Sequence, residues 1–376
     1  MFASYSKYPW VNVCLLFVTL SLSALSFMLY TIYIIRDIAL HDVYYDLYLY
    51  QSTLFFMIVS LYSLGFFILP FLHTLTGSVS HKKLLVYAFT IQLIGLILLY
   101  FFLTFLVMLL SVIAMSLYNA AFVLLCINIW RITPKKWRFF MLTLINGIIA
   151  IIITTAFKLS FVILEDKTLS THSLLIISSI FCAINLLLVL LTSFPRSLKR
   201  PMKRISDHLF INIFHLVKHY KVFVKLLILV IVIYVFYISI DVSKIHWFIL
   251  TYEPLSINQM LTIIIFSFIL LIFFGIFVTQ MRRKNLAITL FFIATCLVTA
   301  AFYWLSYYEI TDTLTIQLFY FTYEILSLIS YSFIIAACVN QLLSAFPNNR
   351  VFTFSVFYLL SNIFIWIILQ LISRFL

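Results

Sequence analysis

Glu324 stands near the middle of a long apolar run, with Tyr320, Ser327 and Tyr331 placed around it at steps of 4, 3 and 4. On a helix that spacing lines a single face. A carboxylate at such depth in a bilayer costs about 2.5–3.5 kcal/mol on insertion scales. Removal from water favours the protonated form of a carboxyl group, so the residue type and position suit proton carriage. Asp241 follows Tyr234 and Tyr237 in the same rhythm, and Lys244 lies one turn further on, within pairing reach. A paired aspartate stays ionised, which fits gating or solute binding better. Glu324 is therefore the first candidate for proton coupling and Asp241 the second. A third stripe, Thr19, Ser23, Ser26, Tyr30, Tyr33 and Asp37, advances by 4, 3, 4, 3 and 4. A fourth run offers Ser116 and Asn119. Polar groups are costly against lipid, so such stripes face either a water-filled path or another helix. For Ser and Thr alone, helix packing is the commoner use. The aligned tyrosines and carboxylates favour the path.

The elements that carry these stripes are membrane spans. Of 376 residues, 65% are hydrophobic and 9% charged, too little charge to cover a soluble domain. Apolar runs of about 20 residues recur from end to end, each long enough to cross a bilayer. They do not alternate as the strands of a barrel would. The spacing predicts spans at 10–35, 52–74, 84–103, 105–130, 139–164, 172–194, 222–250, 258–280, 286–307, 314–340 and 351–373. With 5 Gly and 7 Pro in the whole chain, the helices are expected to be long and mostly unbroken. The first run continues to Ile35, beyond the ~7–15 residues of a signal-peptide core, and is read as a span that is kept.

The formal charge of +13 does not point to nucleic acid, because the basic residues are gathered in short loops. One set of loops holds His81-Lys82-Lys83, Arg131 to Arg138, Arg196 to Lys225, Arg282-Arg283-Lys284 and Arg350. The alternate set holds Asp37, Asp42 and Asp46, Glu165-Asp166, Glu253, and Glu309 with Asp312. Basic loops stay in the cytoplasm, which puts the N-terminus inside. The five cysteines lie inside apolar runs without metal spacing. His215 and His219 are i, i+4, yet two ligands without a third make no metal site, so no metal or other cofactor is expected. Trp10, Trp130, Trp137 and Trp304 fall near span ends, where an interfacial belt accounts for them.

Residues 196–221 divide the chain into an N-terminal set of spans, 1–195, and a C-terminal set, 222–376. This linker reads equally as a short surface helix facing anionic headgroups or as a solvated tether. Six spans, a basic linker and a second set of spans resemble the major facilitator superfamily. The loop Gly77-Ser78-Val79-Ser80-His81-Lys82-Lys83 is similar to a worn form of that family's glycine–acid–basic motif, with His81 where the acid is expected. Arg282-Arg283-Lys284, with Gly275 upstream, occupies the equivalent loop of the second half. The second glycine of the motif is missing, as is the Gly-Pro motif of the fifth span, where Gly147 stands alone.

The resemblance implies an all-α polytopic fold of about 11–12 transmembrane helices in two six-helix-type halves. It also implies a cavity lined by spans one, four, seven and ten. On that basis Thr19, Ser23, Ser26, Tyr30, Tyr33, Asn119, Tyr234, Tyr237, Tyr320, Ser327 and Tyr331 are expected to meet the solute. Gly77, Lys82, Lys83 and Lys244 are expected to act in gating. Paired cations at a span end suit a neighbouring helix's C-terminal dipole or a carboxylate.

The function expected is secondary transport of a small polar solute by alternating access, coupled to protons, by a monomer that is not an enzyme. Its partners are the solute, protons and membrane lipid, and no nucleic acid. A flippase or polymerase for lipid-linked sugars and a non-transporting membrane subunit are the alternatives. The use of Ile, Phe and Lys suggests an AT-rich bacterial genome, and so a bacterial inner membrane.

Overall fold

The computed structural model describes residues 9–40, 68–69, 71–72, 75–102, 104–165, 171–194, 213–214, 216–218, 220–251, 257–281, 283–307, 313–347 and 349–372. Most of the predicted second span, 52–74, and of the linker, 196–221, lies outside these residues. The elements in chain order are α1 (Pro9–Leu40), α2 (His81–Phe101), α3 (Phe105–Ser116), α4 (Tyr118–Ile132), a 3-10 turn (Lys135–Trp137), α5 (Arg138–Glu165) and α6 (Thr171–Leu191). There follow α7 (Lys221–Thr251), α8 (Ile257–Gln280), α9 (Lys284–Tyr307), α10 (Thr313–Ala345) and α11 (Arg350–Ile372). Within the described residues, Trp10–Ile34, His81–Phe101, Leu106–Ile132, His172–Leu191, Lys284–Ala301 and Phe321–Ala345 are long and apolar enough to cross a membrane.

The charge-free stretch from Leu84 to Trp130 divides at residues 102–104, where the Thr104 hydroxyl caps α3 by accepting the Val107 N–H at 3.4 Å. The fourth span is not one straight helix. It breaks at Leu117, between α3 and α4. The Ser116 hydroxyl donates to Ile113 O at 2.6 Å, and Asn119 Nδ2 to Ser116 O at 3.4 Å. Side chains that bond the backbone in this way compete with the helical ladder and bend it.

The chain divides into two compact units. The first comprises Met1–Pro134, Ile152–Lys218 and Phe346–Leu359. In lipid, apolar side chains give helices little reason to associate, so small and polar residues hold them together. Here α1 and α6 run antiparallel and are joined by two polar ties. Asn12 Nδ2 donates to Ser193 Oγ at 2.8 Å, and Ser26 and Ser178 exchange bonds to each other's carbonyls at 3.0 and 2.9 Å. α2 lies along α6, where Cys182 Sγ meets Phe89 O at 3.3 Å. At its N-terminus Lys82 Nζ donates to Leu190 O at 2.7 Å and Thr192 O at 3.0 Å. A cation thus sits on the C-terminal carbonyls of α6, where the helix dipole favours it. Gly95 lets α2 and α3 approach closely: a Cβ there would stand 2.7 Å from Ala114 Cβ and 3.5 Å from Ser111 Cα.

The second unit comprises Lys135–Ile151, His219–Ala345 and Leu360–Leu376. α10 packs on α7, α8 and α9. Thr295 of α9 donates to Leu326 O at 3.2 Å, and the rings of Phe139, Phe333, Phe291 and Phe274 follow one another at 6.1, 5.2 and 5.1 Å. Such offset and edge-on rings contribute beyond their buried area.

Candidate functional site

The α1 stripe faces into unit 1. Thr19 and Ser23 are buried and donate to Leu15 O and Leu20 O in their own helix, each at 2.8 Å. Ser26 bonds Ser178 of α6, and the Tyr30 hydroxyl lies 2.6 Å from Ser111 Oγ of α3. Tyr33 is buried as well. In this conformation the hydroxyls of Ser26 and Tyr30 tie helices together, while those of Thr19 and Ser23 bond the helix that bears them.

Asn119 belongs to a different cluster of the same unit. Its Oδ1 accepts the Tyr358 hydroxyl of α11 at 3.3 Å. Around that bond lie four rings: Phe27 stacks on Tyr118 at 4.6 Å, Tyr118 meets Phe122 at 6.2 Å, and Phe122 meets Tyr358 at 5.2 Å. Tyr358 was not among the sequence candidates, because only the stripes of spans one, four, seven and ten were weighed. The polar set Tyr358, Ser361 and Asn362 inside the eleventh span was the signal that pointed to it.

In unit 2, α10 brings Glu324, Ser327 and Tyr331 onto one face. Glu324 is half-buried, and Ser327 donates to its carbonyl oxygen at 3.0 Å. Tyr234 of α7 meets Tyr331 edge to face, with centroids 5.2 Å apart and planes at 88°. The two tyrosine stripes predicted for spans seven and ten thus touch. Tyr237, Asp241 and Lys244 lie on α7 and Tyr320 on α10, but their side chains are outside the described set.

Gly77 lies in a short helical turn, 75–78, before α2 and is exposed. Lys82 makes the contact with α6 given above, whereas Lys83 is exposed. His81 is buried, with Nδ1 3.2 Å from Asn128 Oδ1. Asn128 Nδ2 lies 3.1 Å from the same ring nitrogen and donates to Leu124 O at 2.7 Å, so the amide can serve the imidazole as donor or acceptor according to the ring's tautomer. The tryptophans do not behave alike. Trp10 and Trp304 are 43% and 60% exposed, as belt residues are, but Trp130 is 2% exposed. Trp130 is therefore an interior residue and not part of an interfacial belt; its ring is covered by Arg350, whose guanidinium carbon lies 4.6 Å from the centroid.

No family model and no curated protein matches the sequence. Solved structures do match it in fold. The fucose:proton symporter FucP of E. coli superposes with a TM-score of 0.68 at 14% identity, covering 98% of this chain and 92% of its own. The proton:xylose symporter XylE, solved with 6-bromo-6-deoxy-D-glucose, gives 0.66 at 13% identity, with 98% and 90% covered. The human organic anion transporter MFSD10 gives 0.62 at 12% identity, with 95% and 91% covered. The chain has the major facilitator superfamily fold along almost its whole length.

Proposed function

We propose that this chain is a secondary transporter that moves a small polar solute by alternating access and couples the movement to protons through Glu324. The observation that carries the reading is the half-buried carboxylate of Glu324 on the α10 face that also bears Ser327 and Tyr331, with Tyr331 meeting Tyr234 of α7. Buried ionisable groups in membrane helices are commonly functional. The same fold in two proton-coupled sugar symporters and an organic anion transporter supports transport as its use. Asn119, with Tyr358 bonded to it, is the solute contact we favour in unit 1, and the Tyr234–Tyr331 pair is the one we favour in unit 2. A neutral or weakly charged polar solute fits hydroxyls, an amide and aromatic faces. Asp241 is proposed as the second titrating group, and Lys244, Lys82 and Lys83 as gating residues.

The direct test is a solute screen with the purified chain in proteoliposomes under an imposed proton gradient. Uphill accumulation of at least one sugar, organic acid or amino acid, abolished by a protonophore, is the expected result. Flux equal to protein-free vesicles across all these classes would sink the transporter reading.

We further propose a monomer in a bacterial inner membrane with its N-terminus in the cytoplasm, since the basic loops all fall on one side of the predicted topology. Reporter tags after Lys203 and Arg283 are expected to read cytoplasmic, and tags near Asp42 and Asp312 external. A cytoplasmic reading near Asp42 would overturn the orientation.

A further inference from the structure

Two buried amides of unit 1 carry polar atoms that no described residue meets. Asn185 of α6 is 1% exposed, and neither its Oδ1 nor its Nδ2 has a hydrogen-bond partner among the described residues. Gln92 of α2 is 3% exposed, and its Nε2 has none either. A buried amide left unbonded costs free energy that a bound partner restores. Helical register places the two amides on the same seam. The Ser26–Ser178 tie joins α1 to α6. Thr19 lies seven residues before Ser26, and Asn185 seven residues after Ser178. The helices are antiparallel, so these equal steps of two turns put Thr19 and Asn185 on one rung. Thr19 is fully buried there. Towards α2, Cys182 Sγ lies 3.3 Å from Phe89 O and 3.9 Å from Gln92 Oε1. Asn185 follows Cys182 by three residues, one turn along the same face. Gln92, Asn185 and Thr19 thus border one region where α2 and α1 both adjoin α6.

The chemistry of these groups selects what binds them. Segments 12–26, 85–99 and 175–192 contain no charged side chain, so an ion there would be buried without a counter-charge. The ligand is therefore neutral. The Thr19 hydroxyl donates to Leu15 O at 2.8 Å, which leaves its oxygen able to accept. A direct bond between the two amides would use one N–H and leave the other three unpaired. A water accepts from both amides and donates to Asn185 Oδ1 and Thr19 Oγ1. That meets the roughly two to four polar partners typical of a buried water.

We propose that Gln92, Asn185 and Thr19 bind a structural water that joins α2, α6 and α1 inside unit 1. Thr19 is then a ligand of that water and not a solute contact. The site lies wholly within one unit and does not depend on the transporter reading.

The test is water-edited solid-state NMR on the full chain in lipid bilayers, with isotope-labelled Asn and Gln side chains. Asn185→Leu and Gln92→Met identify the two amide signals by their loss. In the unaltered chain both side-chain amides are expected to receive magnetisation from water. Asn185→Leu removes two of the water's partners and is expected to abolish the transfer to Gln92. Gln92→Met and Thr19→Val, each close in volume to the residue replaced, are expected to weaken the transfer to Asn185. Gln92→Met and Asn185→Leu should each lower the apparent Tm, and the double variant should lose less than their sum, because each single change strands the amide left behind. No transfer from water to either amide in the unaltered chain would overturn the proposal. Unchanged transfer to Asn185 in Gln92→Met or Thr19→Val, or additive losses in Tm, would also overturn it. Coupled losses without transfer from water would replace the water with a direct bond between the amides. If Asn185→Leu does not fold, Gln92→Met decides: weakened transfer to Asn185 supports the site, and unchanged transfer defeats it. These signals read unit 1 whether or not any solute moves, so a failed flux screen would not alter the outcome here.

Discussion

Glu324→Gln is expected to abolish uphill, gradient-driven accumulation in proteoliposomes while sparing solute binding and exchange. Gln keeps the size and much of the hydrogen bonding of Glu but cannot titrate. Glu324 is half-buried on α10, one turn from Ser327 and two turns from Tyr331. There a proton taken up on one side can be held on a partly buried carboxylate and released when the surroundings change. Glu324→Asp retains the titrating group on a shorter stem and should keep part of the uphill activity. A merely structural role, such as a bond to a neighbouring helix, predicts the opposite order: Gln tolerated and Asp harmful. Uphill transport that survives Glu324→Gln with its pH dependence unchanged would assign the proton to another group.

The spans among the described residues were legible because a bilayer demands about 20 apolar residues per crossing, and that demand is written locally. The division at residues 102–104 was legible from length alone. The break at Leu117 was not, since it depends on how the Ser116 and Asn119 side chains bond the backbone. Helical periodicity placed Tyr234 and Tyr331 on definable faces of their own helices, and the structure brings those faces into contact. Periodicity also aligned Thr19, Ser23, Ser26 and Tyr30, but it is silent on what a face meets. Ser26 finds Ser178, and Tyr30 finds Ser111, through contacts between helices that no local pattern encodes. The same limit hid Tyr358 beside Asn119 and Arg350 above Trp130. A lone tryptophan at the end of an apolar run reads as a belt residue until the helix that covers it is known.

Gly147 is where three helices of unit 2 meet, and a side chain there is expected to separate them. A Cβ at Gly147 would overlap Leu271 Cδ2 and come within 3.2 Å of Leu271 Cγ and of Ser332 Oγ. Leu271 of α8 is fully buried, and the Ser332 hydroxyl of α10 already donates to Leu328 O at 2.6 Å. Gly147→Ala gains about 1 kcal/mol of helix propensity. Overpacking a buried contact costs about 1–3 kcal/mol, so the net effect is destabilising unless Leu271 turns aside. Gly147→Val adds two methyl groups beyond that Cβ and should fall at or beyond the upper end, with a lower apparent Tm in detergent and a loss of folded yield. Leu271→Ala alone leaves a cavity, whose usual cost in a core is about 2–5 kcal/mol. In Gly147→Val with Leu271→Ala the new side chain occupies the space that the leucine vacates. The double variant should therefore be more stable than the sum of the single effects by at least about 1 kcal/mol, as expected for residues in direct contact. Additive losses in Tm would mean that α5 and α8 do not pack through this glycine.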